Sequence, residues 1–321
     1  MSKKILGIGN AIVDVFAKVD DSFLTKNQLV KGSMKLIEKN EFENLKNKIE
    51  IEKIEAGGSV ANTMAGIAYL KGKPYFIGKI NSDEFGKIYK KSLEKINVNF
   101  CYSEKNENLP TGASIIFITP DSERTMCTYL GISSQLSKDD INEHDIKDYE
   151  LIFLEGYLWD KGLSEELFKH IIDLAKKNNV KVAMSLSDIF CVTRHRSDFL
   201  KLLVNDLNIL IGNENEINEL MQKNNLLDSI NEINKINKIN KINKIIIITR
   251  SANGCLAIVN NEIIESASVK VEKILDLTGA GDLFASGFLK EYLDKSDIKR
   301  CLKGGSELAS KIIQKIGARL N

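Results

Sequence analysis

The stretch ILDLTGAGDLFASGF, residues 274–288, places three small residues directly before a carboxylate and then turns abruptly apolar. Beyond Asp282, the residues Leu283, Phe284, Phe288, Leu289, Tyr292 and Leu293 recur at helical spacing, so the glycines stand at or just before a helix N-terminus. The first N–H groups of a helix have no intrahelical partner. With no side chain at Gly279 and Gly281 and only a methyl at Ala280, an anion can approach that backbone closely, and the helix dipole favours it. The loop reads as an anion hole. A carboxylate beside such a hole would repel a phosphate unless it served a different atom, which makes Asp282 the acceptor of a proton from an attacking hydroxyl. Hole and acid together describe phosphoryl transfer. Aspartate is a weak base, with a reference pKa of about 3.9, but a largely dissociative transition state gives up the hydroxyl proton late and asks mainly for positioning. The plainer alternative for a lone Gly-x-Gly is a tight strand-to-helix turn with Asp282 as a helix-dipole partner.

The rest of the chain suits a soluble enzyme. Its 321 residues fit one large α/β core, and 43% hydrophobic with 28% charged residues is a folding composition rather than a disordered one. Lys plus Arg is 45 against 44 for Asp plus Glu, so there is no net positive field to hold a polyanion, and nucleic acid is not an expected partner. The cysteines Cys101, Cys127, Cys191, Cys255 and Cys301 are scattered, odd in number and without a C-x-x-C pair, the pattern of buried thiols in a reducing compartment. The opening MSKKILGIGNAIVDVF is interrupted by Asn10 and Asp14 and lacks a small-residue cleavage site, so it reads as a first strand rather than a signal segment. No run approaches the length of about 18 apolar residues that a membrane span needs. The expected location is cytoplasmic.

Short apolar runs alternate with helical stretches. KILGIG, PYFIGKI, LIFLEG, KVAMSL, LNILIG and KIIIIT are continuously apolar, as parallel strands covered by helices on both faces should be. EELFKHIIDLAKK and IKRCLKGGSELASKIIQKI carry apolar residues at helical spacing. Two segments, about 13–37 and about 111–129, read instead as strand pairs with turn residues such as PDSE between them, and together predict a small second sheet able to act as a lid. Residues 231–243 repeat Ile-Asn-Lys with a period of three, which drifts against 3.6 and predicts no stable apolar stripe, only a surface elaboration.

DLTGAGDLFASGF resembles the D-T-x-G-A-G-D-x-F signature of the ribokinase-like sugar and nucleoside kinases, the PfkB family, with Leu277 where the family usually has Thr. The resemblance spans almost the whole chain. AGGSVANTMAGIAYLKG is similar to the family's N-terminal Gly-Gly motif, in which Gly57 and Gly58 let the backbone approach the substrate and Asn62 offers an amide. FIGKINSDEFG continues it through Gly78, Asp83 and Gly86, although by composition alone Asp83 is a turn or cap residue. In GIGNAIVD, Asn10 and Asp14 form an acceptor-rich pair suited to a vicinal diol, and the matching residues of the family's nucleoside kinases hold the ribose. Asn213 and Glu216 in IGNENEI are similar to the family's N-x-x-E element near magnesium and the phosphates, where one carboxylate acting through water suits that ion. ITRSANGCLAIV resembles the nucleotide-binding T-x-G-x-x-G segment through Thr249 and Gly254, with Ser251 in place of the first glycine. Arg124 resembles an arginine that reaches the phosphates in adenosine-kinase-like members, and LEGYLWD and SLSDIFCVTRHR look like the bacterial branch of that group. Asp188, His195 and Arg196 receive no role.

The resemblance implies one ribokinase-like domain over 1–321, a three-layer α/β/α arrangement with a mostly parallel central sheet and a small β-sheet lid. It implies an ATP- and Mg2+-dependent kinase acting on the primary hydroxyl of a ribose-type acceptor, adenosine foremost, with a free-sugar kinase as the alternative. Asp282, Gly279, Ala280, Gly281 and Arg124 would serve catalysis; Asn10, Asp14, Gly57, Gly58 and Asn62 the acceptor; Asn213, Thr249 and Gly254 the nucleotide; Glu216 the metal. The partners expected are small molecules, with the protein a monomer or a homodimer through the lid. Two other classes fit poorly. An NAD-dependent oxidoreductase lacks the third glycine, since Ile12 stands there, and lacks an acid about 20 residues beyond. A non-catalytic sugar sensor has no use for a base at Asp282.

Overall fold

The computed structural model describes residues 3–103, 105–121, 123–160, 164–240 and 244–320. In chain order its strands are β1 (Lys4–Ile8), β2 (Ile12–Lys18), β3 (Met34–Leu36), β4 (Lys53–Ala56), β5 (Lys73–Ile77), β6 (Asn99–Phe100), β7 (Gly112–Ile118), β8 (Arg124–Tyr129), β9 (Leu151–Glu155), β10 (Lys181–Ser185), β11 (Ile209–Asn213), β12 (Ile245–Thr249), β13 (Cys255–Val259) and β14 (Glu262–Ser266). The α-helices are α1 (Asp21–Lys26), α2 (Lys39–Lys46), α3 (Ser59–Tyr69), α4 (Glu84–Lys95), α5 (Ser164–Lys177), α6 (Ile189–Asn205), α7 (Glu214–Met221), α8 (Leu226–Asn240), α9 (Ala280–Leu293) and α10 (Ile298–Ile312).

The large sheet has the order β14-β13-β12-β11-β10-β9-β1-β5-β6. It is parallel from β12 to β6, and β13 and β14 add an antiparallel edge. Successive strand residues feed two different cores. Ile5, Phe153, Ala183, Ile209 and Ile247 pack with α3, α4, α9 and α10, whereas Leu6, Ile152, Val182, Leu210 and Ile246 pack with α5 to α8. Burial on both faces is why the strands are apolar throughout, and it produces the expected three layers. The chain winds outward in opposite directions from β1 and β9. This is a topological switch point, and the crevice beyond the strand ends there is where such sheets bind ligands.

The second sheet has the order β3-β8-β7-β2-β4, with a core continuous with one face of the large sheet. The segment 111–129 is the expected hairpin, pairing Ile118 with Arg124 and Ala113 with Tyr129. The segment 13–37 is not a strand pair. Its β2 lies parallel to β7, its β3 lies parallel to β8, and α1, capped by Asp20, stands between them. The fifth strand, β4, came with no sequence signal: only Ala56 of its four residues is buried. The opening segment is likewise two strands, broken at Gly9-Asn10 and divided between the sheets.

The Ile-Asn-Lys repeat is helical up to Asn240, with residues 241–243 outside the described ones. Three residues turn a helix through about 300°, so successive isoleucines slide around its surface. Ile230 and Ile233 are buried, Ile236 is partly buried and Ile239 is 69% exposed. The drift limits the stripe to two turns but does not prevent the helix. Of the five free cysteines four are buried, while Cys101 is exposed at the end of β6. His144 is exposed and His170 half-buried, with Nε2 3.0 Å from the carbonyl of Ile141.

Candidate active site

The site residues lie at the C-terminal ends of the parallel strands. Asn10 follows β1, Asn213 ends β11, Thr249 ends β12, and the glycine turn leads into α9. Gly279 is the N-cap of α9 at φ +76°, a conformation costly for any residue with a Cβ, and a Cβ there would also stand 2.8 Å from Ala318. Gly281 differs: a Cβ at that position meets nothing within 4 Å. The turn is therefore closed behind by the chain's own Ala318 and open in front, where the first-turn amides point. Asp276 shapes its approach, accepting from the amides of Thr278 at 2.9 Å and Gly317 at 2.8 Å.

Asp282 sits in the first turn of α9, half-buried. Its Oδ1 accepts from Ser59 Oγ at 2.6 Å and its Oδ2 from Asn62 Nδ2 at 3.1 Å, both from the first turns of α3. Desolvation raises its carboxyl to about 6, against the lowering effect of those two donors and of Arg319. That value suits a group that is ionised near neutrality and can take up a proton.

Asp14, on β2, faces the same space. Its carboxyl is pushed up to about 7 by burial, with Glu55 and Asp282 adding repulsion and Arg319 and Arg124 opposing it. Gly57 is required beside it, because a Cβ at Gly57 would lie 2.3 Å from Asp14 Oδ2. Gly58 adopts φ +90° and carries the chain past the Asn10 carbonyl, which a Cβ would meet at 2.4 Å. Asn10, Asp14, Gly57, Gly58 and Asn62 are thus brought together on one wall, with Asp282 hydrogen-bonded to Asn62.

Four contributors escaped the sequence reading. Glu155 ends β9, only 1% exposed, and its two oxygens accept from the amides of Asn10 at 2.8 Å and Val60 at 3.0 Å. Burial raises its carboxyl to about 7, the two backbone donors opposing. Ser59 supplies the shortest bond to Asp282. Arg319 donates from Nε to Asn62 Oδ1 at 2.9 Å, and Asp276 pairs with Arg124. Glu155 had a local signal, as a charged residue closing an otherwise apolar strand, and Asp276 opens the matched signature; Ser59 and Arg319 had none.

Arg124 opens β8 and is 8% exposed, stacked 5.6 Å over the ring of Phe16. Its Nη2 forms an ion pair with Asp276 Oδ2 at 2.5 Å, and its Nη1 has no hydrogen-bond partner among the described residues. A buried guanidinium with a donor to spare beside the glycine turn suits a further anion.

Asn213 and Glu216 form a capping box at α7. Glu216 accepts from the Asn213 amide at 2.9 Å and from Asn213 Nδ2 at 2.5 Å, and its own amide donates back to Asn213 Oδ1 at 2.9 Å. Burial raises the Glu216 carboxyl to about 7, with the Asn213 amide opposing and Asp188 adding repulsion. A carboxylate has about four lone-pair directions, so a box that uses two leaves Glu216 able to accept from water. The donor set fits a hydrated Mg2+ delivered with a nucleotide rather than a protein cage. Thr249 pairs with Cys255 across β12 and β13, and Gly254 turns at φ +79° against the Ser266 carbonyl.

Other singled-out residues prove structural. Asp83 caps α4 and also binds Thr111 at the root of β7, through Oδ2 to the amide and Oδ1 to the hydroxyl. Asp188 caps α6, Arg196 donates to the Leu220 carbonyl, and His195 lies against Asp160. Asp160, Cys191 and His195 bring three ligand atoms within 4.8 Å of one another, but Arg194 already donates to the same Asp160 oxygen. A cation is in place there.

A doubly covered parallel sheet, a second sheet beside its switch point and an acid at the mouth of an anion-accepting helix turn define a small-molecule phosphotransferase. The comparisons with known proteins agree. Residues 25–321 match the pfkB family carbohydrate kinase model, and the chain belongs to that family. It superposes on the adenosine kinase of Sinorhizobium meliloti with TM-score 0.91 at 33% identity, covering 100% of this chain and 96% of that one. Adenosine kinase 2 of Arabidopsis thaliana is 24% identical across 98% of this chain and 94% of its own. The 5-dehydro-2-deoxygluconokinase of Listeria monocytogenes is 27% identical across 81% of each. The chain is therefore a sugar or nucleoside kinase, an activity that uses ATP.

Proposed function

We propose that the protein phosphorylates the primary hydroxyl of a ribose-type acceptor, with adenosine as the favoured one. The observation that carries this reading is Asp282, held by Ser59 and Asn62 beside an open glycine turn and facing the diol-binding candidate Asp14. Asn10, Asp14, Gly57, Gly58 and Asn62 hold the acceptor so that its hydroxyl meets Asp282. Asp282 takes the proton as the phosphoryl group leaves its nucleotide. Gly279, Ala280 and Gly281 present the amides that stabilise charge on the transferring group. Asn213, Thr249 and Gly254 line the nucleotide side.

Mg2+ would neutralise phosphate charge when bound, with Glu216 holding it through water. The small sheet serves as a lid, and Arg124 turns its unspent donors to the phosphates when the lid is closed. In support of a nucleoside, the chain is similar over its full length to adenosine kinases.

The free-sugar reading has its own support in the similarity to 5-dehydro-2-deoxygluconokinase. An ADP-release assay with adenosine, inosine, guanosine, ribose and fructose in parallel separates the two. Adenosine should give the highest kcat/KM. A higher value for ribose or fructose would replace the nucleoside reading with the free-sugar one.

A further inference from the structure

Arg319 lies two positions before the last residue, far in sequence from every motif, yet it reaches the centre of the site. Its Nε donates to Asn62 Oδ1 at 2.9 Å, and its Nη2 lies 3.4 Å from the Gly57 carbonyl, which also accepts from Tyr89 Oη at 3.2 Å. A guanidinium carries donors only. The Asn62 amide, whose two ends are otherwise nearly interchangeable, must therefore turn its oxygen toward Arg319. Its NH2 then faces Asp282 Oδ2, at 3.1 Å. Reversing the amide would set NH2 against guanidinium on one side and oxygen against carboxylate on the other.

We propose that Arg319 is a positioning residue for phosphoryl transfer: it fixes the orientation of Asn62, so that Asp282 receives a hydrogen bond on each oxygen, and anchors the Gly57 turn against Asp14. The proposal rests on the reading of Asp282 as the proton acceptor.

The local charges sharpen its consequence. Around Asp282 stand Asp14 from β2, Glu155 from β9 and Tyr157 just beyond it, while Glu55 from β4 and Tyr89 from α4 face Arg319. Arg319 is the cation that acts on both Asp14 and Asp282. Removing it takes away a charge that favours the ionised carboxylate and frees the Asn62 amide to turn. Both effects make Asp282 harder to ionise, so the acid limb of activity should move to higher pH.

The test compares pH profiles of kcat/KM for the wild type, Arg319→Met, Arg319→Lys, Asn62→Ala and the Arg319→Met/Asn62→Ala double variant. Arg319→Met should lower kcat/KM about tenfold or more and move the acid limb upward by about half a pH unit or more, with Arg319→Lys recovering part of both. In the Asn62→Ala background, Arg319→Met should add less than it does alone, because the part of its effect that orients the amide passes through Asn62 while the charge effect remains. An unmoved acid limb in Arg319→Met, or fully additive losses, would overturn the proposal. A carboxyl-carbon NMR titration of ligand-free wild type and Arg319→Lys reads Asp282 without turnover. A shift in that titration upholds the positioning role even if Asp282→Asn keeps full activity, which would sink only the proton-acceptor reading; an identical titration in the two proteins counts against the positioning role itself.

Discussion

The amide of Asn10 donates to Glu155 Oε1 at 2.8 Å, joining the ends of β1 and β9 across the point where the strand order reverses. The other oxygen of Glu155 holds the amide of Val60, so one buried carboxylate ties the loop after β1 to the helix that carries Ser59 and Asn62. Replacing Glu155 by Leu should leave two buried N–H groups without acceptors and cost about 2–4 kcal/mol in denaturant unfolding. The acceptor KM should rise with it. A variant as stable as the wild type would show that water or relaxation serves those amides equally well.

Asp282→Asn keeps the size of the side chain and an oxygen for Ser59 or Asn62 to bond. Turnover should fall by about 10²–10⁴ while the acceptor still binds, which single-turnover kinetics and equilibrium binding separate. Its melting temperature at pH 8 should equal or exceed that of the wild type, because an acid held above its ordinary pKa is being ionised at a cost. Loss of folding instead would assign Asp282 to the architecture of the turn.

The two kinds of glycine should respond differently. Gly281→Val places its Cβ where nothing lies within 4 Å, so stability should hardly change while turnover drops by about 10² or more through obstruction of the amides. Gly58→Ala must adopt φ +90° and displace the Asn10 carbonyl, so it should cost about 1–3 kcal/mol in stability and weaken acceptor binding. Thermal melts set beside initial rates check both. Normal turnover in Gly281→Val would remove the turn from the mechanism.

Acidity should act in opposite senses on stability and on activity. Asp14, Glu155 and Glu216 are raised to about 7 and Asp282 to about 6, each chiefly by burial. A carboxyl raised on folding binds its proton more tightly in the native state, so the stability it contributes is full below its unfolded pKa and is lost as pH rises through its folded one. The melting temperature of the ligand-free protein should therefore fall from pH 5 to pH 8. Over the same range kcat/KM should rise, with an acid limb near 6, as Asp282 becomes the carboxylate. Asp282→Asn should flatten part of the stability slope. A melting temperature that climbs from pH 5 to pH 8 would contradict the burial of these acids.

What the sequence determined by itself is what neighbouring residues decide together. The six continuously apolar runs became the parallel strands because a side chain every other position must find a core on each face. The glycine turn, Asp282 and the close approach at Gly57-Gly58 are local backbone chemistry, legible wherever they occur. Where the reading failed, on the first small-sheet segment, short amphipathic pieces took their form from the surface they met. Tertiary structure alone decided the partners of the acids. Asn10 and Glu155 are 145 residues apart, Ser59 and Asp282 are 223, and Asn62 and Arg319 are 257. No pattern along a chain encodes a hydrogen bond of that span. It exists because the switch point of the sheet brings the ends of β1 and β9 together, and because the glycine turn leaves room for the C-terminal segment to close behind it.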